Sequence, residues 1–303
     1  MASPAARRSL FGLALAVVLG AALSVQAEEV ATRHRGLTLN GNLELAEGKN
    51  LDDGVILITH GLLAHNKMEI ISAFQNLFKA RGLSTLAINL SFGISDRHGF
   101  FDCGRLHTHR PTDALDEIDA WIGWLKTQGA TDIVLMGHSQ GGAQTALYAA
   151  ERKDESISAV VLVAPGTFSP ERTATAYQQR HGTDLAPILE RAQALVREGR
   201  GQTQLDRIGF LTCENATVTA ASFVGWYAPS PLRHTPALLP RIKTRTFVVV
   251  AGADALVPDL AEEVAPLDGK GAVSVKVIDG ADHFFLDLFA DEATEAITAW
   301  LSR

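Results

Sequence analysis

Along much of the chain, unbroken apolar runs alternate with segments whose apolar residues recur every three or four positions. "GVILITHG" (54–61) is β-branched and continuous, as a strand buried on both faces must be. "MEIISAFQNLFKARG" follows with helical spacing and Gly82 as its stop. The pair then repeats. "STLAINL" leads to "TDALDEIDAWIGWLKTQG", where Thr112 is the expected N-cap and Gly129 the end. "DIVLMG" leads to "GGAQTALYAAERK", and "ISAVVLVAPG" closes the first series. After a gap, "RTFVVVAGADALVP", "DLAEEVAPL", "VSVKVIDGADHFF" and "DEATEAITAWLSR" resume the rhythm. This alternation predicts an α/β fold, a mostly parallel sheet with helices on both faces.

Three segments depart from that rhythm. "HRGLTLNGNLEL" alternates apolar and polar residues about Asn40-Gly41, a hairpin signal. From about Thr167 to Pro240 there are three helix-like pieces, "PERTATAYQQRHG", "DLAPILERAQALVREG" and "TVTAASFVGWYA", with no buried strand between them. An insertion that leaves the sheet and returns to it is expected to be a lid over one domain spanning residues 28–303. The first 27 residues have Arg7 and Arg8, then an apolar stretch from Leu10 to Val25, then Val25-Gln26-Ala27 as a small-residue cleavage site. That is the form of an export signal peptide. Its arginine pair fits the twin-arginine route as well as the general one, so the expected location is periplasmic or secreted. The apolar stretch is shorter than the ~20 residues of a membrane span, and no stable span is expected in the mature chain.

Composition narrows the partners. The chain has 303 residues, 47% hydrophobic and 20% charged, enough for one large core. Net charge is −7. Removing Arg7 and Arg8 with the leader leaves 25 basic against 34 acidic residues, a net −9. With no basic block, a nucleic-acid surface is not expected.

The candidate chemistry centres on "GHSQGG". Gly137-x-Ser139-x-Gly141 between a strand and a helix fits a nucleophile elbow. The sharp turn needs nearly side-chain-free residues two before and two after the serine. It also places the Ser139 hydroxyl at a helix N-terminus, where free N–H groups and the dipole favour negative charge. A serine nucleophile needs a base, and the base an orienting acid, in the chain order Ser, acid, His. Three histidines follow Ser139: His181, His234 and His283. His283 follows a buried strand near the C-terminus, whereas His181 and His234 lie in the insertion and are expected to be mostly solvated. Asp254 ends the preceding strand. Its rivals are Asp259, better placed to start a helix, and Asp279 and Asp282, too close in sequence to His283. Oxyanion stabilisation needs two converging N–H groups, expected from Gln140 and, in the turn after "ILITHG", from Leu62.

These residues resemble the α/β-hydrolase superfamily over nearly all of 54–303, in "THGLL", "GHSQGG", "AGADALVP" and "GADHFF". The resemblance is to the esterase, lipase and serine-aminopeptidase-like branch. It implies the α/β-hydrolase fold, a helical lid inserted after the sixth strand, a small-molecule ester as substrate and no cofactor. "NLSFGISDRHGFFDCGRLHTHR" departs from the Asp-x-x-Gly-x-Gly-x-Ser run that many relatives carry after the fourth strand, which bears on the substrate rather than the machinery.

Weaker signals surround this site. Asp102, Cys103, His107 and His109 match no common structural zinc spacing, so no metal is expected; the loop is expected to rim the site, with His107 and His109 facing substrate. His65 and Asn66 either line the substrate beside the oxyanion turn or cap a helix starting near Lys67, the cap being preferred. Phe223, Trp226 and Tyr227 either line an acyl pocket or pack the insertion onto the body, and Phe284 adjoins His283. Cys103 and Cys213, in an exported chain, are expected to pair, closing a loop of about 110 residues valued at about 4–5 kcal/mol. Two other readings stand beside the ester: a thioesterase or small-peptide peptidase on the same triad, with Glu171, Glu190 and Glu198 available to hold an amine, and a non-catalytic exported binding protein. The intact Ser, Asp and His weigh against the last.

Overall fold

The computed structural model describes Met1 and residues 27–303; the expected leader lies almost wholly outside these described residues. Among them, the strands are β1 (Glu28–His34), β2 (Leu37–Glu44), β3 (Val55–Thr59), β4 (Thr85–Ile88), β5 (Leu106–His107), β6 (Ile133–His138), β7 (Ile157–Val163), β8 (Gln204–Phe210), β9 (Cys213–Thr219), β10 (Thr246–Ala251) and β11 (Val273–Ile278). The helices are α1 (Glu69–Ala80), α2 (Asp113–Thr127), α3 (Gln140–Glu151), α4 (Pro170–His181), α5 (Leu185–Arg197), α6 (Ala220–Tyr227), α7 (Thr235–Leu238), α8 (Leu260–Val264) and α9 (Leu288–Leu301). An eight-stranded sheet runs β1-β2-β4-β3-β6-β7-β10-β11. It is parallel from β4 to β11, with β1 and β2 antiparallel at one edge.

The continuous apolar runs are the central strands because they are covered on both faces. Val55 and Leu57 of β3 face the core packed under α2 and α3, while Ile56 and Ile58 face the one under α1 and α9. Every residue of β3 and of β10 is buried. All parallel strands end on one side, so the turns after β3, β6, β10 and β11 gather at a single rim, where α/β sheets place their sites.

Several local expectations are corrected. The hairpin turns at Arg35-Gly36, both at positive φ (47° and 82°), the two-residue turn that suits the strand twist. Asn40-Gly41 lies inside β2. Asn40 donates to Asp96 and to the Arg97 carbonyl, and a Cβ on Gly41 would crowd Leu86 and Trp121. Thr112 precedes α2 but its side chain does not cap; Asp113 instead accepts from the Arg110 amide.

The insertion between β7 and β10 holds α4 and α5 as expected, but also the β8–β9 hairpin, which the sequence reading missed. Its apolar residues are spread thinly (Leu205, Phe210, Ala216, Val218) because only one side of the hairpin packs inward. The third helix-like piece is therefore split, with 217–219 in β9 and α6 starting at Ala220. β9 also pairs in parallel with β5, and Cys103 is joined to Cys213 by a disulfide of sequence separation 110. Peptide mapping without reductant should recover this cross-link. Opening so long a loop should cost about 4–5 kcal/mol, lowering Tm by roughly 10 °C in a thermal scan with reductant; an unchanged Tm would refute the estimate.

Beneath the disulfide lies a cluster of rings. His107 and His109 are buried with Phe92, Phe101, Phe210, Phe223 and Trp226. The His109 carbonyl accepts from Ser222 Oγ (2.5 Å) and Trp226 Nε1 (3.0 Å), which ties the insertion to the body. His107, His109, Phe223 and Trp226 are thus packing residues, at most 3% exposed, rather than a substrate-facing rim. With Cys103 in the disulfide, the 102–109 segment offers no thiolate for a metal.

Burial leaves several histidines neutral, so stability should depend on pH. It lowers His107 and His138 to about 4, and His60 and His109 to about 3. Between roughly pH 6.5 and 4.5 the unfolded chain binds protons at these four positions that the folded chain does not. Burial of Glu117 and Glu263, each raised to about 7, opposes this with two protons on the folded side. The sum favours the unfolded state in acid, so stability should rise with pH across that window. Urea midpoints measured from pH 4.5 to 6.5 should climb, and His109→Phe should flatten the slope. A midpoint independent of pH would overturn the assignment.

Candidate active site

The elbow follows from its glycines. Ser139 sits between β6 and α3 with φ 56° and ψ −124°, a backbone region costly to any residue with a Cβ. A side chain on Gly137 would overlap the Gly141 carbonyl, and one on Gly141 would overlap the Thr59 and His60 carbonyls. The tight turn can therefore lie directly on the end of β3. Ser139 is half-buried, and the Gln140 amide is the first N–H of α3, with no carbonyl of its own helix to bond.

Two loops meet this serine. His283, in the turn between β11 and α9, has Nε2 2.7 Å from Ser139 Oγ and Nδ1 2.7 Å from Asp254 Oδ2. Asp254 follows β10, and its Oδ1 accepts the amides of Leu256 (2.7 Å) and Val257 (3.0 Å). Burial pushes the Asp254 carboxyl up, but the His283 hydrogen bond and these two amides outweigh it and hold the group below the usual carboxylate range.

The rival acids do not pair with His283, whose Nδ1 is taken by Asp254. Asp259 binds Arg172 (2.6 Å) and Thr167 Oγ1 (2.9 Å) in the insertion, and its side chain does not cap α8. Asp282 accepts the Phe284 amide and so shapes the histidine loop. Asp279 is exposed. His181 and His234 are half-buried rather than solvated. His181 packs on Tyr177, while His234 accepts from the Phe168 amide and pairs with Glu263.

The turn after β3 lies beside the serine: an added Cβ on Gly61 would stand 3.4 Å from Ser139 Cβ. This puts the Leu62 amide in the neighbourhood of the Ser139 hydroxyl. His65 Nδ1 accepts from the Lys67 amide and its ring packs on Phe100, so it closes a turn rather than capping α1. Asn66 is buried and donates to the Ala87 carbonyl. Of the expected lining residues, Phe284 stands exposed with its ring edge against His283, at 5.3 Å.

One positioning residue went unnoticed in the sequence. His138, between Gly137 and Ser139, is buried, and its Nε2 donates to the His283 carbonyl at 2.8 Å. Its only signal was its place in the elbow, since a strand-end histidine is otherwise unremarkable.

Comparison with solved structures places this architecture among esterases and lipases in fold. Est1E from Butyrivibrio proteoclasticus superposes with a TM-score of 0.64 at 20% identity, covering 90% of this chain and 97% of that one. The Paleococcus ferrophilus monoacylglycerol lipase superposes with a TM-score of 0.59 at 19% identity over 87% and 98%. The Pyrococcus furiosus esterase Pf2001 gives 0.58 at 15% over 92% and 90%. No protein of curated function matches the sequence. The model of the alpha/beta hydrolase family matches residues 55–299, from β3 into α9, and the chain belongs to that family.

Proposed function

We propose that this protein is an exported serine hydrolase that cleaves a carboxylic ester through an acyl-enzyme. The reading is carried by one observation, the unbroken line of hydrogen bonds from Ser139 through His283 to Asp254. Asp254 keeps the His283 proton on Nδ1, leaving Nε2 with a lone pair toward the serine hydroxyl. As Ser139 Oγ attacks the ester carbonyl, its proton passes to His283 Nε2, and Asp254 stabilises the imidazolium. The oxyanion is met by the amides of Leu62 and Gln140. Collapse expels the alcohol, which takes the proton from His283. Water then attacks the acyl-enzyme with His283 again as base, releasing the acid and restoring Ser139. The residues need no cofactor for these steps.

The insertion from about 167 to 240 acts as a lid over this rim, held down by the disulfide. Export is supported by the leader pattern and by a disulfide, which persists in oxidising compartments. Leu256 and Phe284, beside the acid and the base in sequence, are both exposed and apolar, which favours an apolar acyl group. A panel of p-nitrophenyl esters of rising acyl length, run beside aryl thioesters and aminoacyl nitroanilides, tests the reading. Ester turnover should exceed the others, with longer acyl groups preferred over acetyl. Faster nitroanilide cleavage would replace the esterase with a peptidase, and no turnover of any substrate would leave a binding protein.

A further inference from the structure

Under the turn that carries Leu62 lies a buried guanidinium that the chemistry above does not use. Arg97 belongs to the loop after β4, yet it is 5% exposed. Its Nε donates to the Leu90 carbonyl (2.7 Å) and its Nη1 to the Gly99 carbonyl, while the two Nη2 hydrogens are shared among the Ala64 carbonyl (2.8 Å), Asn89 Oδ1 (2.6 Å) and, in a bifurcated contact, His60 Nε2 (3.2 Å). The Phe92 ring covers one face at 4.7 Å. Burial lowers Arg97 only to about 10, so it remains a cation at neutral pH. Glu117, the buried carboxyl nearby, spends both oxygens on Ser91. A desolvated cation whose partners are neutral oxygens is costly, which directs attention to what it holds in place.

It holds His60. His60 Nε2 lies 3.1 Å from the Leu90 amide and 3.2 Å from Arg97 Nη2, and both of those groups can only donate. Nε2 must therefore carry the lone pair and Nδ1 the proton, and Nδ1 donates to the Gly61 carbonyl at 2.8 Å. That carbonyl and the Leu62 N–H belong to one planar trans peptide unit, so fixing one end aims the other in the opposite direction. Arg97 also grips Ala64, the far end of the same turn, whose amide in turn donates to Gly61 O at 3.3 Å.

We infer that Arg97, acting through Nδ1-protonated His60, is a positioning residue that aims the Leu62 amide at the oxyanion. The inference rests on the serine-hydrolase reading. The departure of this loop from the usual run after the fourth strand is then functional, because it supplies the clamp. Neither residue touches the substrate; both act through the peptide that does.

Matched esters and thionoesters separate this role from a general loss of structure, because sulfur accepts hydrogen bonds much more weakly than oxygen. In Arg97→Met and His60→Gln, kcat for the oxygen ester should fall by about tenfold to a hundredfold, within the range for a damaged oxyanion donor, while KM changes by less than about threefold. Thionoester turnover should barely change, so the oxygen-to-sulfur rate ratio collapses. His60→Asn, which keeps an N–H near the place of Nδ1, should lose less than His60→Gln. If Arg97→Met does not fold, Arg97→Lys carries the test, since one ammonium cannot span the same carbonyls. A parallel fall of both substrates, an undiminished oxygen-ester rate, or a His60→Asn poorer than His60→Gln would overturn the clamp. Wild-type protein inert to a fluorophosphonate probe would instead defeat the serine-hydrolase reading, and the clamp with it.

Discussion

Ser139→Ala should reduce ester turnover by at least about four powers of ten, to the residue of catalysis that binding and oxyanion contacts supply without a nucleophile. A fluorophosphonate should label the wild-type protein once, on Ser139, and leave Ser139→Ala unlabelled. The reason is geometric: Ser139 Oγ stands 2.7 Å from the only imidazole that Asp254 orients, at the N-terminus of α3. Backbone strain adds a second readout. At φ 56° and ψ −124° a Cβ is unfavourable, and strain of this kind costs of order 1–3 kcal/mol. Ser139→Gly should thus be as inactive as Ser139→Ala yet more stable than it in urea, by about 1 kcal/mol after the extra chain entropy of glycine. Labelling that survives in Ser139→Ala would remove the nucleophile assignment.

Asp254→Asn should cost about 10⁴ in kcat with the fold intact. Oδ1 of Asp254 is already committed to the amides of Leu256 and Val257, so an asparagine there would keep its oxygen toward those donors. Its NH₂ would then face His283 Nδ1. Two donors cannot pair, so the imidazole proton must move to Nε2, where it meets the Ser139 hydroxyl and leaves no base. Asp279→Asn and Asp282→Asn should stay within about tenfold of wild type, since neither reaches the imidazole. Near-normal turnover in Asp254→Asn with a large loss in either of the others would reverse the assignment. The lowered pKa of Asp254 adds a pH expectation. Its ionised form stabilises the folded site above the unfolded carboxylate value, near 4, and that stabilisation is lost only as pH falls through the lower folded value. Loss of activity well above pH 4 is therefore not protonation of Asp254.

What the sequence disclosed most fully was what repeats or what is sterically compulsory. Unbroken runs such as Val55–Thr59 read correctly because a strand covered on both faces has no polar option. The tight turn at Ser139 was legible because its glycines answer to backbone overlap within a few residues and against one neighbouring strand. The β8–β9 hairpin was hidden because its inward residues are few and depend on α4, α6 and β5 for cover. The hairpin turn was misplaced because Asn40-Gly41 looks like turn chemistry, while Gly41 is in fact required where Leu86 and Trp121 close on the strand.

Local sequence thus determined the α/β architecture and the glycine-bounded turn at Ser139, and it pointed to a few acids and histidines after strands β10 and β11. Only the tertiary structure decided which carboxylate meets His283, that His107 and His109 turn inward into an aromatic cluster, and that His138 anchors the histidine loop. It alone also brought Arg97 beneath His60. Chain periodicity reports how one segment divides its surface between core and water. It carries no information on which donors and acceptors from distant segments will share a buried space, and that sharing sets tautomers, proton affinities and the aim of a peptide N–H.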